Sequence, residues 1–429
     1  MKQLSDLIRR EITAAGPMRF ARFMELALYC PEFGYYEREA ETVSRRGDFY
    51  TSVSVGGLFG ELLAFQFAVW LERMPGEPFQ LVEAGAHDGQ LAKDVLGWLR
   101  AQRPPLWERL EYWILEPSER ARGRQAKTLA EFGGKVRWFC SWEAVPAAGV
   151  SGVIFSNELL DALPVHRLGW DAEAKEWFEW GVGVEGERFV WVRLAGSAAN
   201  ARELLERAFS NRQAPSAKRQ AANADRQSPI AKRHAASADW PSAIAQRQAA
   251  SADWLSAIAQ RQGVSRDWLS AIDYRLLEPA LPDGFTTEVC PGAVAWWQQA
   301  AAVLRHGRLL TFDYRLEVED FLTPARTHGT LRAYQKHHAT ADLLANVGDQ
   351  DLTAHVNFAA LRAAGEQAGL RTEGCGSQAS FLTRIAEATW SAPTTFGEWT
   401  PARRRQFQTL THPDHLGRAF NVLVQSRGG

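Results

Sequence analysis

Residues 81–91 read LVEAGAHDGQL. The apolar pair Leu81-Val82 runs into Glu83 and Ala84, and the turn Gly85-Ala86-His87-Asp88-Gly89 leads into Gln90-Leu91, where helical spacing begins. The pattern is a buried strand, a tight turn and a helix. In doubly wound sheets, ligands sit at the carboxyl ends of strands, where strand order switches. Gly85 and Gly89 let the backbone pass close to a ligand, and the N-terminus of the next helix favours anionic groups. Taken alone, the turn also fits an ordinary strand-to-helix connection.

The surrounding sequence repeats this alternation. Residues 80–84 (QLVEA), 111–116 (EYWILE), 136–140 (VRWFC), 152–156 (GVIFS) and 308–313 (RLLTFD) read as strands, with a late strand at 378–384. Helical spacing covers 90–100, 118–132, 293–305 and 356–369. Strands alternating with helices predict βαβ units and an α/β fold with a doubly wound, mostly parallel sheet. Residues 1–75 read as a helical N-terminal region with a Gly-rich lid loop. The sheet domain is assigned to 76–200 and 275–395, an insertion to 201–274, and a C-terminal extension to 396–429.

Inside the insertion lie four contiguous 14-residue repeats: AKRQAANADRQSPI (217–230), AKRHAASADWPSAI (231–244), AQRQAASADWLSAI (245–258) and AQRQGVSRDWLSAI (259–272). The unit is too short for a helix-pair or propeller repeat. Trp254 and Ile258 would share one helix face, while Pro229 and Pro241 interrupt the first two copies. The repeats carry eight basic residues against four aspartates. A surface insertion, partly helical or disordered, is the simplest reading; a basic arm that docks a partner is the functional alternative.

Composition narrows the function classes. The chain has 429 residues, 46% hydrophobic and 23% charged, enough to bury a large core. Lys plus Arg is 49 and Asp plus Glu is 50, a net charge of −1. That balance excludes a globally basic nucleic-acid binder. No apolar run reaches 18 residues, so no membrane insertion is expected. The N-terminal stretch is amphipathic but has no secretory h-region, and Asp6 and Glu11 disfavour a transit peptide. Cys30, Cys140, Cys290 and Cys375 lie far apart and form no CxxC pair. A cytoplasmic, bacterial-style chain with reduced thiols is expected.

Two further strand ends carry polar groups. The second strand ends Ile114-Leu115-Glu116, about 30 residues after the first. In nucleoside-binding Rossmann-like folds such an acid accepts hydrogen bonds from ribose hydroxyls; otherwise it caps the next helix. With both signals in register the chain reads as a nucleoside binder, and the absent G-x-G-x-x-G counts against NAD or FAD. A later run, Val153-Ile154-Phe155-Ser156, emerges into Asn157 and Glu158, with Asp161 three residues on. Polar groups at an apolar strand tip are costly unless solvated or used. Asn157 can bond a cofactor, while Glu158 and Asp161 can bind a cationic substrate or accept a proton; equally, Asp161 can cap a helix.

These residues belong to a wider pattern. Phe23-Met24-Glu25-Leu26-Ala27-Leu28-Tyr29 with Pro31, Gly34, Tyr35 and Tyr36, and Gly47-Asp48-Phe49-Tyr50-Thr51-Ser52 before Phe59-Gly60-Glu61, precede the glycine turn. Glu116-Pro117-Ser118, Asn157-Glu158 with Asp161-Ala162-Leu163-Pro164, Glu288-Val289-Cys290-Pro291, Asp313-Tyr314, Gly329-Thr330-Leu331-Arg332-Ala333-Tyr334 and Asp351-Leu352-Thr353-Ala354-His355 follow it. Over about residues 5–385, apart from the repeats, this ordered set resembles the MidA family of class I S-adenosylmethionine-dependent methyltransferases. Mitochondrial members of that family are complex I assembly factors that act as protein arginine methyltransferases.

The resemblance implies a Rossmann-like methyltransferase using S-adenosyl-L-methionine, with a protein arginine side chain as acceptor. It implies cofactor contacts at Glu83, Gly85, His87, Gly89, Glu116 and Asn157, with Asp48 and Thr51 in a lid over the cofactor. Glu158 and Asp161 would orient the acceptor guanidinium. Two departures stand out: His87 occupies the family's middle glycine, and Arg315 replaces the glycine after Asp-Tyr. Two alternatives stay open: another acceptor, such as a small molecule, or a catalytically weak assembly scaffold. Histidines 337, 338 and 355 with Asp349 and Asp351 could suggest a metal site, but loop histidines commonly serve hydrogen bonding and no metal is expected. The oligomeric state cannot be read from the sequence.

Overall fold

The run FQLVEA forms strand β1 (Phe79–Ala84), buried at all six residues. Such continuous apolarity suits a strand covered on both faces. Strands β2 (Leu110–Leu115), β4 (Val150–Asn157) and β5 (Leu304–Asp313) are mostly buried as well, while β3 (Val136–Phe139), at the sheet's edge, is buried only at Val136. These five pair in parallel. β6 (Arg371–Ser377) and β7 (Asn421–Arg427) complete the sheet, with β7 antiparallel between β5 and β6. The order is β6-β7-β5-β4-β1-β2-β3, so the direction of winding reverses between β1 and β4. Ligand crevices form outside the carboxyl ends at such a reversal. The computed structural model describes residues 2–38, 51–76, 78–209, 274–324, 326–335, 338–390 and 393–428. Asp48, His337 and the four repeats lie outside the described residues.

The longer helices among the described residues, in chain order, are α1 (Lys2–Ala15), α2 (Phe20–Tyr29), α3 (Leu58–Leu71), α4 (Gln90–Gln102), α5 (Glu119–Thr128), α6 (Ala198–Phe209), α7 (Pro291–Val303), α8 (Phe358–Gln367), α9 (Gln378–Trp390) and α10 (Pro401–Thr411). On one face of the sheet, α3, α4, α9 and α10 pack Leu62, Leu96 and Leu382 against Leu81, Ile114 and Phe312. On the other, α7 and α8 pack Trp297 and Leu361 against Val82, Ile154 and Leu423. α3 is apolar almost all round, as a helix walled in by its neighbours must be. Among the described residues, no helix is long and apolar enough to cross a membrane.

A second, antiparallel sheet lies between β4 and β5 in the chain. Its central strand Glu176–Glu185 pairs with His166–Asp171, Arg188–Arg193 and Met18–Arg19, and His166–Asp171 pairs with Thr286–Val289. α1 and α2 bury Leu4, Ile8, Phe20 and Phe23 in a core shared with Val182. The first 75 residues are therefore not one region: α1 and α2 serve the second sheet, while α3 belongs to the main core.

Three other expectations need correction. Residues 378–384 begin a helix, not a strand. Phe381, Leu382, Ile385 and Ala386 are buried at helical spacing, and a short Phe-Leu pair does not reveal which period it belongs to. Residues 396–429 are not an appended extension, because they supply β7 to the interior of the main sheet. The assigned insertion also starts early. Ala201, Leu204, Leu205 and Phe209 of α6 are buried in a third core with Tyr274 and Phe285.

Candidate active site

The turn after β1 depends on left-handed backbone. Gly85 has φ +70° and Gly89 φ +85°. A Cβ on Gly85 would stand 2.8 Å from Leu159 Cδ1. His87 also has a positive φ, +48°. L side chains resist that region by about 1–2 kcal/mol, which explains why glycine suits this place in the family pattern. The ring of His87 lies beside Asp88, with Nδ1 3.6 Å from Oδ1. Its carbonyl accepts from Gln125 Nε2 at 3.2 Å. Asp88 Oδ1 accepts from the Gln90 amide at 3.0 Å and so stiffens the entry to α4.

Two acids stand at the ends of β1 and β2. Glu83 is 3% exposed. Burial pushes its pKa up to about 8, against the opposing hydrogen bond from Tyr112 Oη, 2.6 Å from Oε2. Glu116 follows β2, and burial raises its pKa as well. Its Oε1 accepts from the Ser118 amide at 3.0 Å and its Oε2 from Gln125 Nε2 at 3.1 Å. Gln125 thus ties the β2 acid to the glycine turn, a link that the sequence spacing did not suggest.

The tips of β4 and β5 gather a second acidic group. Asn157 Nδ2 donates to Glu158 Oε1 at 3.1 Å. Asn157 Oδ1 is buried and has no hydrogen-bond partner among the described residues. Glu158 sits at φ +51°. Enclosure lifts its pKa to about 8, opposed by the Asn157 hydrogen bond and added to by the charge of Asp313. Asp161 is 4% exposed, and its pKa is raised well above the usual range by burial, then by Asp313, Glu158 and Asp351. Asp313, at the end of β5, accepts from the amides of Leu160 and Tyr314, each at 2.9 Å. Burial still lifts its pKa to about 7.

Aromatic residues wall this group. Tyr36 Oη donates to Asp351 Oδ1 at 2.8 Å, and Tyr29 Oη to the Ala162 carbonyl at 2.9 Å. The two rings stack with centroids 5.5 Å apart. Tyr314 packs on Phe420 at 4.4 Å and faces His355 at 6.2 Å. Burial lowers the pKa of His355 to about 4, so its imidazole is neutral at physiological pH.

The expected residues therefore fall into two clusters. Glu83, Gly85, His87, Gly89 and Glu116 line the β1–β2 end, while Asn157, Glu158 and Asp161 meet at the β4–β5 end. Thr51 joins neither through its side chain, because its hydroxyl accepts from the Ser54 amide at 3.2 Å in a local turn. Its neighbour Ser52 supplies an amide to Glu158 and holds Gln378 through its hydroxyl at 3.1 Å. Asp313, Asp351 and Tyr112 were not expected in the site. For Asp313 a signal existed, since RLLTFD ends in an acid just as the first two strands do. Asp351, raised above as part of a metal-like group, instead takes the hydroxyl of Tyr36.

Strand order, winding reversal and a glycine turn flanked by strand-end acids define a Rossmann-like fold of the methyltransferase type. A family model described as "Putative S-adenosyl-L-methionine-dependent methyltransferase" matches residues 62–376. The chain belongs to this family, the MidA-type methyltransferases. Among curated relatives, a mitochondrial protein arginine methyltransferase NDUFAF7 homolog from Drosophila melanogaster is 32% identical over 186 residues, 38% of this chain and 41% of that protein. Its counterpart from Danio rerio is 29% identical over 195 residues, 39% of this chain and 46% of that protein. The match thus spans less than half the length of these relatives. A Burkholderia thailandensis protein, described as a "likely methyl transferase" and solved bound to S-adenosyl-homocysteine, is 27% identical with a TM-score of 0.71. The alignment covers 100% of this chain and 92% of that one.

Proposed function

We propose that this chain transfers a methyl group from S-adenosylmethionine to an arginine side chain of a protein. The observation that carries the reading is the buried proximity of Glu158, Asp161 and Asp313, with Asn157 bonded to Glu158 through Nδ2 and its own Oδ1 unpartnered among the described residues. Burial first, and for Glu158 and Asp161 also the charge of neighbouring carboxyls, holds the protons on these acids. A guanidinium balances that charge and matches paired carboxylate oxygens through its planar fork. A neutral acceptor would gain nothing from the arrangement.

The residues at the β1–β2 end fit a bound S-adenosylmethionine. The turn at Gly85 and Gly89 brings bare backbone to the winding reversal. Each oxygen of Glu116 accepts one hydrogen bond, from the Ser118 amide and from Gln125, and keeps capacity for a ribose hydroxyl. Asn157 Oδ1 needs a donor. When bound, the cofactor supplies an electrophilic methyl on a sulfonium. His87 is assigned to the cofactor's margin through its backbone, since its ring turns to Asp88. Glu158 and Asp161 orient the guanidinium and take up the proton that its nitrogen sheds, while proximity supplies much of the acceleration.

The test is methyl transfer to arginine peptides, with cofactor-product affinity measured beside it by calorimetry. Glu158→Gln and Asp161→Asn are expected to lower turnover about 10²- to 10⁴-fold while binding S-adenosylhomocysteine like the parent. Activity should rise with pH through about 7 to 8, because the acids must lose their protons to hold a guanidinium. Parent-like turnover in both variants would overturn the roles. Transfer to small amines but to no arginine peptide would overturn the acceptor.

A further inference from the structure

A short turn joins the two ends of the cleft. Tyr35–Glu37 is a single 3₁₀ turn that follows α2. On the cofactor side, Glu37 Oε2 accepts from Ser118 Oγ at 2.8 Å, and the Ser118 amide donates to Glu116 Oε1 at 3.0 Å. The Tyr36 carbonyl accepts from Arg124 Nη2 at 3.2 Å. On the acceptor side, Arg38 donates to the Gly348 carbonyl at 2.9 Å and pairs with Asp349. The turn is pinned at both flanks, so Tyr36 has little freedom. Its ring stacks on Tyr29 and meets Tyr35 edge-on, with centroids 5.1 Å apart and planes at 83°.

Tyr36 Oη donates to Asp351 Oδ1 at 2.8 Å, and Asp351 is built into the acceptor end by its own strand. It is buried. The strand Asp351–Thr353 runs on into Ala354, whose amide donates to the Asp161 carbonyl at 2.8 Å. Two residues later the Val356 amide donates to the Tyr314 carbonyl at 2.7 Å, and the Tyr314 amide donates to Asp313. The segment that carries Asp351 is thus stitched to the backbone beside two of the three acceptor-site acids. The charge of Asp351 also acts on both Glu158 and Asp161. The partner chosen for this fourth carboxyl is telling. A lysine or arginine beside it would cancel its charge. A phenol fixes one oxygen with a neutral donor and leaves the charge for a ligand.

We propose that Tyr36 is a positioning residue for the acceptor: its hydroxyl holds the Asp351 carboxylate so that Asp351 shares the N–H donors of the arriving guanidinium with Glu158 and Asp161. The proposal rests on the arginine reading above and adds the groups that set the acceptor's angle. Tyr36 touches neither the methyl group nor the attacking nitrogen. It acts through Asp351, and a small error in that carboxylate's placement is paid in alignment.

The test separates placement from fold. An arginine-containing peptide, and the same peptide with the uncharged analogue citrulline, are titrated by calorimetry into the full chain saturated with S-adenosylhomocysteine. KM and kcat for methyl transfer are measured beside it. Tyr36→Phe keeps the stacked ring and removes the donor. It should weaken arginine-peptide binding and raise KM about tenfold, while S-adenosylhomocysteine affinity stays that of the parent. Asp351→Asn should weaken arginine-peptide binding about 10- to 100-fold and narrow the preference for arginine over citrulline by the same factor. In that background Tyr36→Phe should cost no more than about twofold further, because the charge it places is gone. Parent-like binding and KM in Tyr36→Phe would overturn the proposal and leave arginine methylation standing. The same loss from Tyr36→Phe with and without Asp351→Asn would overturn it too, since the hydroxyl would then act elsewhere. Weakened S-adenosylhomocysteine binding in Tyr36→Phe would assign the hydroxyl to the fold of the cleft instead. A parent that binds the citrulline peptide as tightly as the arginine peptide would overturn both the proposal and the reading beneath it.

Discussion

Glu83 is a carboxyl kept where a charge is costly, and its titration should be visible in stability. Its folded pKa is raised to about 8, above that of an exposed glutamate near 4.3. The stabilising contribution of the protonated form is complete below the unfolded value and is lost as pH rises through about 8. Glu83→Gln keeps an acceptor for Tyr112 Oη and removes the titration. The parent Tm should therefore fall between pH 5 and 8.5 more steeply than that of the variant, as read by scanning fluorimetry; equal slopes would remove Glu83 as the cause. Gly85 offers a second test. Alanine there meets both the left-handed φ and Leu159, a cost of about 1–3 kcal/mol. Gly85→Ala should lower Tm and weaken S-adenosylhomocysteine binding at least tenfold; unchanged affinity would move the cofactor away from this turn. Glu83, Glu116 and Glu158 could be read from sequence because each ends an apolar run. Asp351 could not, since it reaches the site from a small polar sheet, Arg332–Gln335 with His338–Thr340 and Asp351–Thr353, that has no apolar signature.

At the scale of elements, sequence periodicity served best where an element is buried on one side or on both. β1, β2, β4, β5, α4 and α7 all lie within a few residues of their expected spans because their apolar residues recur at the period of the element. β6 escaped for the opposite reason. Its sequence RTEGCGS alternates between exposed and half-buried positions and offers no apolar face. β7, NVLVQSR, is a short run near the end of the chain, and nothing local says that it inserts between β5 and β6. That placement makes it indispensable. Val422, Leu423 and Val424 are each 5% exposed or less. At about 1.5–3 kcal/mol per buried side chain, their loss rivals the whole stability of a typical domain, roughly 5–15 kcal/mol. It would also bare two strand edges inside the sheet. A chain ending at Phe420 should aggregate and show no cooperative melt by circular dichroism. A parent-like Tm in that chain would mean that the rest of the sheet closes without it.

Across the whole molecule, two sheets share one cleft. The main sheet brings Glu83, Glu116, Glu158 and Asp313 to its carboxyl edge, while α2 and the segment after it bring Tyr29 and Tyr36 from the side of the second sheet. The insertion departs where the two meet, and its two roots close on each other through Phe209 and Tyr274. Both rings are buried in one core with Leu168, Trp170 and Phe285, so the body of the fold holds the roots. Replacing residues 211–272 with about eight Gly and Ser residues should then leave the fold intact. Each halving of a loop lowers its closure cost by about 0.6 kcal/mol, so three halvings predict a gain of about 1.8 kcal/mol. The measurement is denaturant unfolding of the parent and the shortened chain, with S-adenosylhomocysteine affinity followed in both. The shortened chain should be as stable as the parent or more so, and should bind S-adenosylhomocysteine like the parent. A loss of several kcal/mol would mean that the fold depends on the replaced residues and not on its roots alone.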